Sequence, residues 1–369
     1  MEPFKNEFSY QNCRRLAEAL HRVYPGFSVT RFSRGLERAL PPLAMKQRMR
    51  LVADRLEAGL PTDPPELFAI LVRALAGDDP ESGGVRGFLV WPLTEIVARR
   101  GMNHLDAALA ALREMTMRFT AEFAIRPFLI HHRQHTLQQL ATWCDHPNEH
   151  VRRLVSEGSR PLLPWGGKLA ELLEPPLPTL RLLEKLRADP SAYVRLSVAN
   201  HLNDLSKTQP ELVLATLNRW REQTPDDARL ERLTRHACRT LIKNGHLAAL
   251  AFHGFRQTTA LQLEVCELAA PGVALGGQLE YRLLIHNTSR RVLRVLFDYA
   301  ILHRKANGSL VPKVFKGRTR DLTPGERWEI CGRHAFQPVT TRVYHPGRHG
   351  FEPRLNGRPF PPRFFQLEI

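Results

Sequence analysis

The chain has 369 residues, too many for one ordinary hydrophobic core, so two domains are expected, and its 43% hydrophobic content suffices to bury them. Fifty-three Lys and Arg against 37 Asp and Glu leave a formal charge of +16, which attracts polyanions before any specific contact forms. The apolar runs are too short to span a bilayer, the start MEPFKNEFSYQNCRR is polar where a secretory leader is apolar, and Cys13, Cys144, Cys238, Cys266 and Cys331 contain no C-x-x-C pair. These features argue against a membrane-spanning chain, a disulfide scaffold and a cysteine-based zinc site, and they favour a cytoplasmic protein with reduced thiols whose leading partner class is nucleic acid.

From residue 10 to about 245, apolar residues recur at helical spacing between loops marked by proline, aspartate and glycine. Amphipathic helices are expected at Gln47–Ala58, Pro65–Leu75, Leu105–Met117 and Gln134–Cys144. The segment Val151–Gly166, VRRLVSEGSRPLLPWG, starts as a basic helix and ends at Pro161 and Pro164, which puts Trp165 in a loop beside the helix end. Val151-Arg152 recurs as Val194-Arg195 after 43 residues and, more loosely, as Thr234-Arg235 after another 40. That period belongs to HEAT or armadillo helix pairs and implies an α-solenoid, in which Arg152, Arg195 and Arg235 would form a ladder suited to a phosphate backbone.

After Phe255 the pattern changes to short alternating runs, at Leu261–Glu267, Gly277–His286, Leu293–His303, Val311–Lys316, Arg327–Ala335, Arg342–Tyr344 and Phe364–Ile369, separated by turn clusters such as Ala306-Asn307-Gly308 and Thr323-Pro324-Gly325. Seven short strands suggest an immunoglobulin-like β-sandwich, with the domain boundary at 257/258. From Thr258 onward 17 Lys and Arg stand against 9 Asp and Glu, a charge of 17 − 9 = +8, which makes DNA contact by the sandwich an expectation. Cys266 and Cys331 are placed to sit on facing sheets, although free thiols are the expected state.

Taken together, FTAEFAIRPFL at Phe119–Leu129, the VRRLVSEGSRPLLPWG segment, DPSAYVRLSVANHLND at Asp189–Asp204 and the appended β-sandwich resemble bacterial DNA alkylation repair glycosylases of the AlkC type, HEAT-like relatives of AlkD. The resemblance covers essentially the whole chain. Like that family, the sequence lacks a helix-hairpin-helix motif. The resemblance implies a monofunctional enzyme of the bacterial cytoplasm and nucleoid. It would act as a monomer on double-stranded DNA without a cofactor, and would remove N3-methyladenine and N3-methylcytosine to leave an abasic site.

The chemistry of that reaction suits these residues. An N3-alkylated base is cationic and already a good leaving group, so the difficulty lies in the oxocarbenium-like sugar, which a carboxylate stabilises while water reaches the anomeric carbon. Glu157 and Asp204 are the candidates for this work. Asn200 and Asp204 share one helix face, as Arg153 and Glu157 do one repeat earlier, so adjacent repeats would bring the two carboxylates close. Trp165 offers an electron-rich face to a cation. By its match to a family glutamate, Glu122 would complete an acidic pocket, and Arg152, Arg160, Arg195 and Arg235 would hold phosphates near the lesion.

Each assignment has a structural alternative. Glu157 stands at ion-pair spacing from Arg153 and Arg160, Glu122 at the same spacing from Arg126, Asp204 near a helix end, and Trp165 where it would serve as a core plug. His131, His132 and His135 do not make a metal set, because neighbouring helical residues face different ways and no carboxylate completes it. At the level of function, the alternative is a non-enzymatic HEAT-repeat scaffold that binds nucleic acid or an acidic protein; for such a scaffold, carboxylates among the arginines would only weaken attraction to phosphates.

Overall fold

In a computed structural model the described residues are 4–76, 84–339 and 342–369. Helices run from Tyr10–Val23 to Leu247–Phe252 and strands follow from Leu261. The four amphipathic segments form as Met45–Glu57, Pro64–Arg73, Leu105–Thr116 and Arg133–Trp143. Local chemistry starts two of the helices: Asp63 accepts the Glu66 amide at 3.1 Å with Pro64 in the first turn of Pro64–Arg73, and Asn148 accepts the His150 amide at 2.9 Å at the start of Glu149–Gly158.

Two helices carry the site region. Glu149–Gly158 buries Val151, Leu154 and Val155, and Ala192–Leu205 buries Val194, Val198, Ala199 and Leu202, so the two pack through facing apolar stripes. Val151 and Val194 are each the third residue of their helix, which gives the 43-residue offset its structural meaning. Thr234 is instead the seventh residue of Ala228–Ala237, so the looser third match is not register-equivalent. Close approach fixes Gly158, where an added Cβ would lie 2.6 Å from Ile125 Cγ2.

The strands are β1 Leu261–Leu268, β2 Gly272–Ala274, β3 Gln278–Asn287, β4 Leu293–Arg304, β5 Leu310–Leu322, β6 Arg327–Ala335, β7 Gly347–Leu355, β8 Arg358–Pro359 and β9 Arg363–Glu368. One sheet has the order β1-β3-β6, and the other β2-β9-β7-β4-β5 with β8 on β7. Leu283, Ile285 and Ile330 of the first and Val295, Phe297, Ile301 and Phe351 of the second fill one core. The expected strand at Arg342–Tyr344 is an isolated bridge between Val339 and Arg342, and the chain pairs instead along Gly347–Leu355. Cys266 and Cys331 lie on β1 and β6 of the same sheet, against Leu283 and Arg282 of β3 on opposite faces, and both are free, so they are not on facing sheets.

Packing divides the chain into two compact units, 1–205 and 206–369. The change from helix to strand falls near the expected 257/258, yet the helices after Leu205 group with the sandwich. The reason is local to the second unit: Leu250 and Phe255 bury with Leu296 of β4, and Asn356 donates to the Arg256 carbonyl and accepts the Leu296 amide.

Candidate active site

Two helices and the turn before a third, all in the first unit, converge on a chain of alternating charges. Glu122, before the helix Arg126–His131, receives Arg153 Nη1 on Oε2 at 2.7 Å. Arg153 Nη2 lies 3.5 Å from Glu157 Oε1, Glu157 Oε1 receives Arg160 Nη1 at 2.7 Å, and Arg160 Nε donates to Asp204 Oδ2 at 2.9 Å. The expected proximity of Glu157 and Asp204 therefore has a specific cause, one guanidinium held between them. Helical spacing puts Arg153 and Glu157 on one face, and the turn ending at Arg160 brings its side chain back over Glu157.

Glu157 is 6% exposed, and Ser197 donates to its second oxygen at 2.6 Å, with Ser156 2.6 Å behind Ser197. Burial pushes its carboxyl pKa up, but Arg153, Arg160 and the Ser197 hydroxyl together outweigh burial and hold it below the ordinary carboxylate range. Glu157 is thus an anion at neutral pH, preorganised on both oxygens. Beneath it, the fully buried His201 bonds the Ser156 carbonyl through Nδ1 at 2.9 Å and accepts the Thr179 hydroxyl on Nε2 at 3.1 Å. Burial lowers this imidazole to about 4, so it is neutral and, because a carbonyl only accepts, Nδ1 carries the proton.

Trp165 follows in a loop, 65% exposed, with a left-handed φ of 64°. Non-glycine residues avoid this region unless their surroundings over-determine it. Here Lys46 Nζ donates to the Trp165 carbonyl at 2.6 Å, and Arg126 donates to the carbonyls of Arg160 at 2.7 Å and of Gly167. The loop is pinned on both sides while the ring is presented to solvent. Arg126, 4% exposed, makes no ion pair with Glu122, because Glu122 is taken by Arg153; burial and the neighbouring Arg160 lower the Arg126 pKa to about 10.

The ladder arginines do other work. Arg152 forms a two-pronged pair with Asp189 at 2.7 and 3.0 Å and donates to the His146 and Pro147 carbonyls, while Arg195 donates to the Asp189 and Pro190 carbonyls at the same relative positions. Both clamp the loop that starts their helix. Arg160 is buried between two carboxylates instead of facing outward, and Arg235, in the second unit, is exposed with Glu231 at 3.9 Å. Sequence reasoning missed Lys46, Ser197 and the carbonyl-binding role of Arg126. Lys46 and Trp165 are 119 residues apart, and no periodicity signals such a contact.

The C-terminal part of the chain, residues 262–369, matches the family model described as the C-terminal Ig-like domain of the uncharacterised protein YhaZ. Over 346 residues the chain is 37% identical to the uncharacterized protein YhaZ of Bacillus subtilis, covering 93% of this chain and 94% of that protein. It also superposes on the Pseudomonas fluorescens alkylpurine DNA glycosylase AlkC, bound there to DNA containing an abasic site analog, with a TM-score of 0.91 and 34% identity over 100% of both chains. The chain belongs to the AlkC and YhaZ family. Its architecture, HEAT-like helices followed by an immunoglobulin-like β-rich region, is the AlkC-like fold. Among the described residues no helix is long and apolar enough to cross a membrane.

Proposed function

We propose that this chain is a monofunctional DNA glycosylase that hydrolyses the N-glycosidic bond of cationic N3-alkylated bases, N3-methyladenine and N3-methylcytosine, in double-stranded DNA. The convergence of Glu122, Glu157 and Asp204 on shared arginines carries the proposal, in a chain that matches the alkylpurine glycosylase AlkC along its whole length. A cationic base departs without protonation, so the catalytic demand falls on the sugar, where positive charge develops. Glu157 and Asp204 are the carboxylates placed to meet that charge and to orient water, and Glu122 widens the acidic field. Trp165 supplies a stacking and cation–π surface for the base or sugar. Arg160 acts as a positioning residue, because its guanidinium is spent on both carboxylates. Phosphate contact falls to more exposed cations such as Arg235.

A non-enzymatic scaffold would gain nothing from three carboxylates held among arginines, since each weakens attraction to phosphates. The same proposal places the protein as a single copy in the bacterial cytoplasm, at the nucleoid. Incubating the protein with methylated DNA and chromatographing the released bases tests the activity. Free N3-methyladenine, with abasic sites left in unbroken strands, is the expected product, and no free methylated base would overturn the proposal.

A further inference from the structure

The three carboxylates Glu122, Glu157 and Asp204 lie among three guanidiniums, Arg126, Arg153 and Arg160, which offset their charge, with the Lys46 ammonium close by on the Trp165 carbonyl. Each guanidinium beside the carboxylates weakens their attraction for a cation, yet the proposed substrate carries a positive charge that must be held next to them. Moving one of the three guanidiniums away would strengthen that attraction most. Arg126 and Arg160 are poor choices. Arg126 is 4% and Arg160 is 7% exposed, and they are fixed by backbone carbonyls and by two carboxylates respectively.

Arg153 differs from both. Its side chain is more accessible, at 17%, its link to Glu157 is long at 3.5 Å, and its short contact is with Glu122 at the edge of the charge chain. Its guanidinium carbon lies 5.2 Å from the ring centroid of Tyr193, an exposed residue in a T-shaped contact with His150. The guanidinium thus sits at a partly exposed rim, already against an aromatic face that would keep hold of it when it leaves the carboxylates.

Resting on the glycosylase reading, we propose that Arg153 is a displaceable internal counter-ion. It occupies the seat of the substrate's positive charge between Glu122 and Glu157 in the free protein and gives it up when the cationic lesion enters. Arg153 then sets specificity. A neutral base cannot compete for the two carboxylates and leaves Arg153 in place, while a cationic one replaces it charge for charge.

The test compares the full chain and its Arg153→Gln, Arg153→Met and Arg153→Lys variants in binding to two duplexes. One carries a pyrrolidine abasic mimic, which is cationic, and the other its neutral tetrahydrofuran counterpart. Removing the internal competitor should raise the ratio of cationic to neutral affinity roughly tenfold in the Gln and Met variants, as expected for a unit charge removed from a few ångströms away. The Lys variant should stay near the unmodified ratio. If Arg153 instead contacts phosphate or only supports the fold, both duplexes weaken together, the ratio is unchanged and the proposal fails. A ratio that falls also overturns it. Either neutral variant suffices if circular dichroism shows it folded. Release of methylated base by the unmodified protein is scored separately, so a failure of the glycosylase reading is distinguishable from a failure of this one.

Discussion

Trp165 combines two observations that pull against each other in an ordinary loop residue: a bulky side chain in left-handed backbone and a ring left in solvent. A residue kept this way for packing would be buried. Trp165→Ala should therefore leave the melting temperature almost unchanged, because exposed substitutions stay within about 0.5 kcal/mol. It should slow base release by the worth of a stacked base, roughly 1–3 kcal/mol. A large loss of thermal stability with normal release in the folded protein would assign the ring to packing. At this scale much was legible. The loop position of Trp165 follows from Pro161 and Pro164, and the closeness of Glu157 and Asp204 follows from the repeat. The engagement of Arg152 and Arg195 with loop carbonyls was not, because sequence spacing shows where an arginine sits but not which carbonyls its neighbouring loop leaves open.

Between elements, the helices Glu149–Gly158 and Ala192–Leu205 are joined by apolar packing, by Ser156–Ser197 at 2.6 Å and by His201 on the Ser156 carbonyl. Gly158 permits the first of these helices to approach Ile125. Gly158→Ala should destabilise the protein despite the better helix propensity of alanine, by the roughly 1–3 kcal/mol of an overpacked core, read as a lower denaturant midpoint. A midpoint equal to or above that of the unmodified chain would show that Ile125 yields freely. The helices were legible because apolar residues recur at helical spacing between loops marked by proline, aspartate and glycine. The strand β7 was missed because Gly347, Gly350 and Pro353 interrupt its alternation, and because its pairing with β4 is set by residues some 50 positions away in sequence.

Across the whole molecule, His201, His253 and His334 are lowered to about 4 and His303 to about 3, in each case chiefly by burial. The unfolded chain binds protons on these rings below the ordinary histidine value of 6.5 while the folded chain does not. Their folded pKa values being depressed, stability is greatest above that value and falls as pH drops towards about 4. Thermal melts should show this decline from pH 7 to pH 5, before most carboxylates titrate, and a flat profile in that range would contradict the buried neutral histidines. DNA binding by the sandwich is a proposal of ours with a separate test. Lys313, Lys316 and Arg318 are exposed on β5, the last strand of its sheet. If they meet phosphates, replacing all three by alanine in the full chain should make the salt dependence of binding shallower, by about 0.9 in log–log slope for each phosphate no longer neutralised. An unchanged slope would remove β5 from the DNA surface.

Charge on Glu157 and Asp204, more than their shape, is central to the proposed chemistry. Single-turnover base release from a duplex with one N3-methyladenine, compared between the unmodified chain, Glu157→Gln and Asp204→Asn, tests this most directly. Each amide keeps the side-chain shape but loses the charge that meets the sugar cation, an electrostatic effect of about 3 kcal/mol, or more than a hundredfold in rate. Both variants should show that slowing, with binding to tetrahydrofuran-containing DNA nearly retained. Release at the unmodified rate by both folded variants would contradict the proposed chemistry.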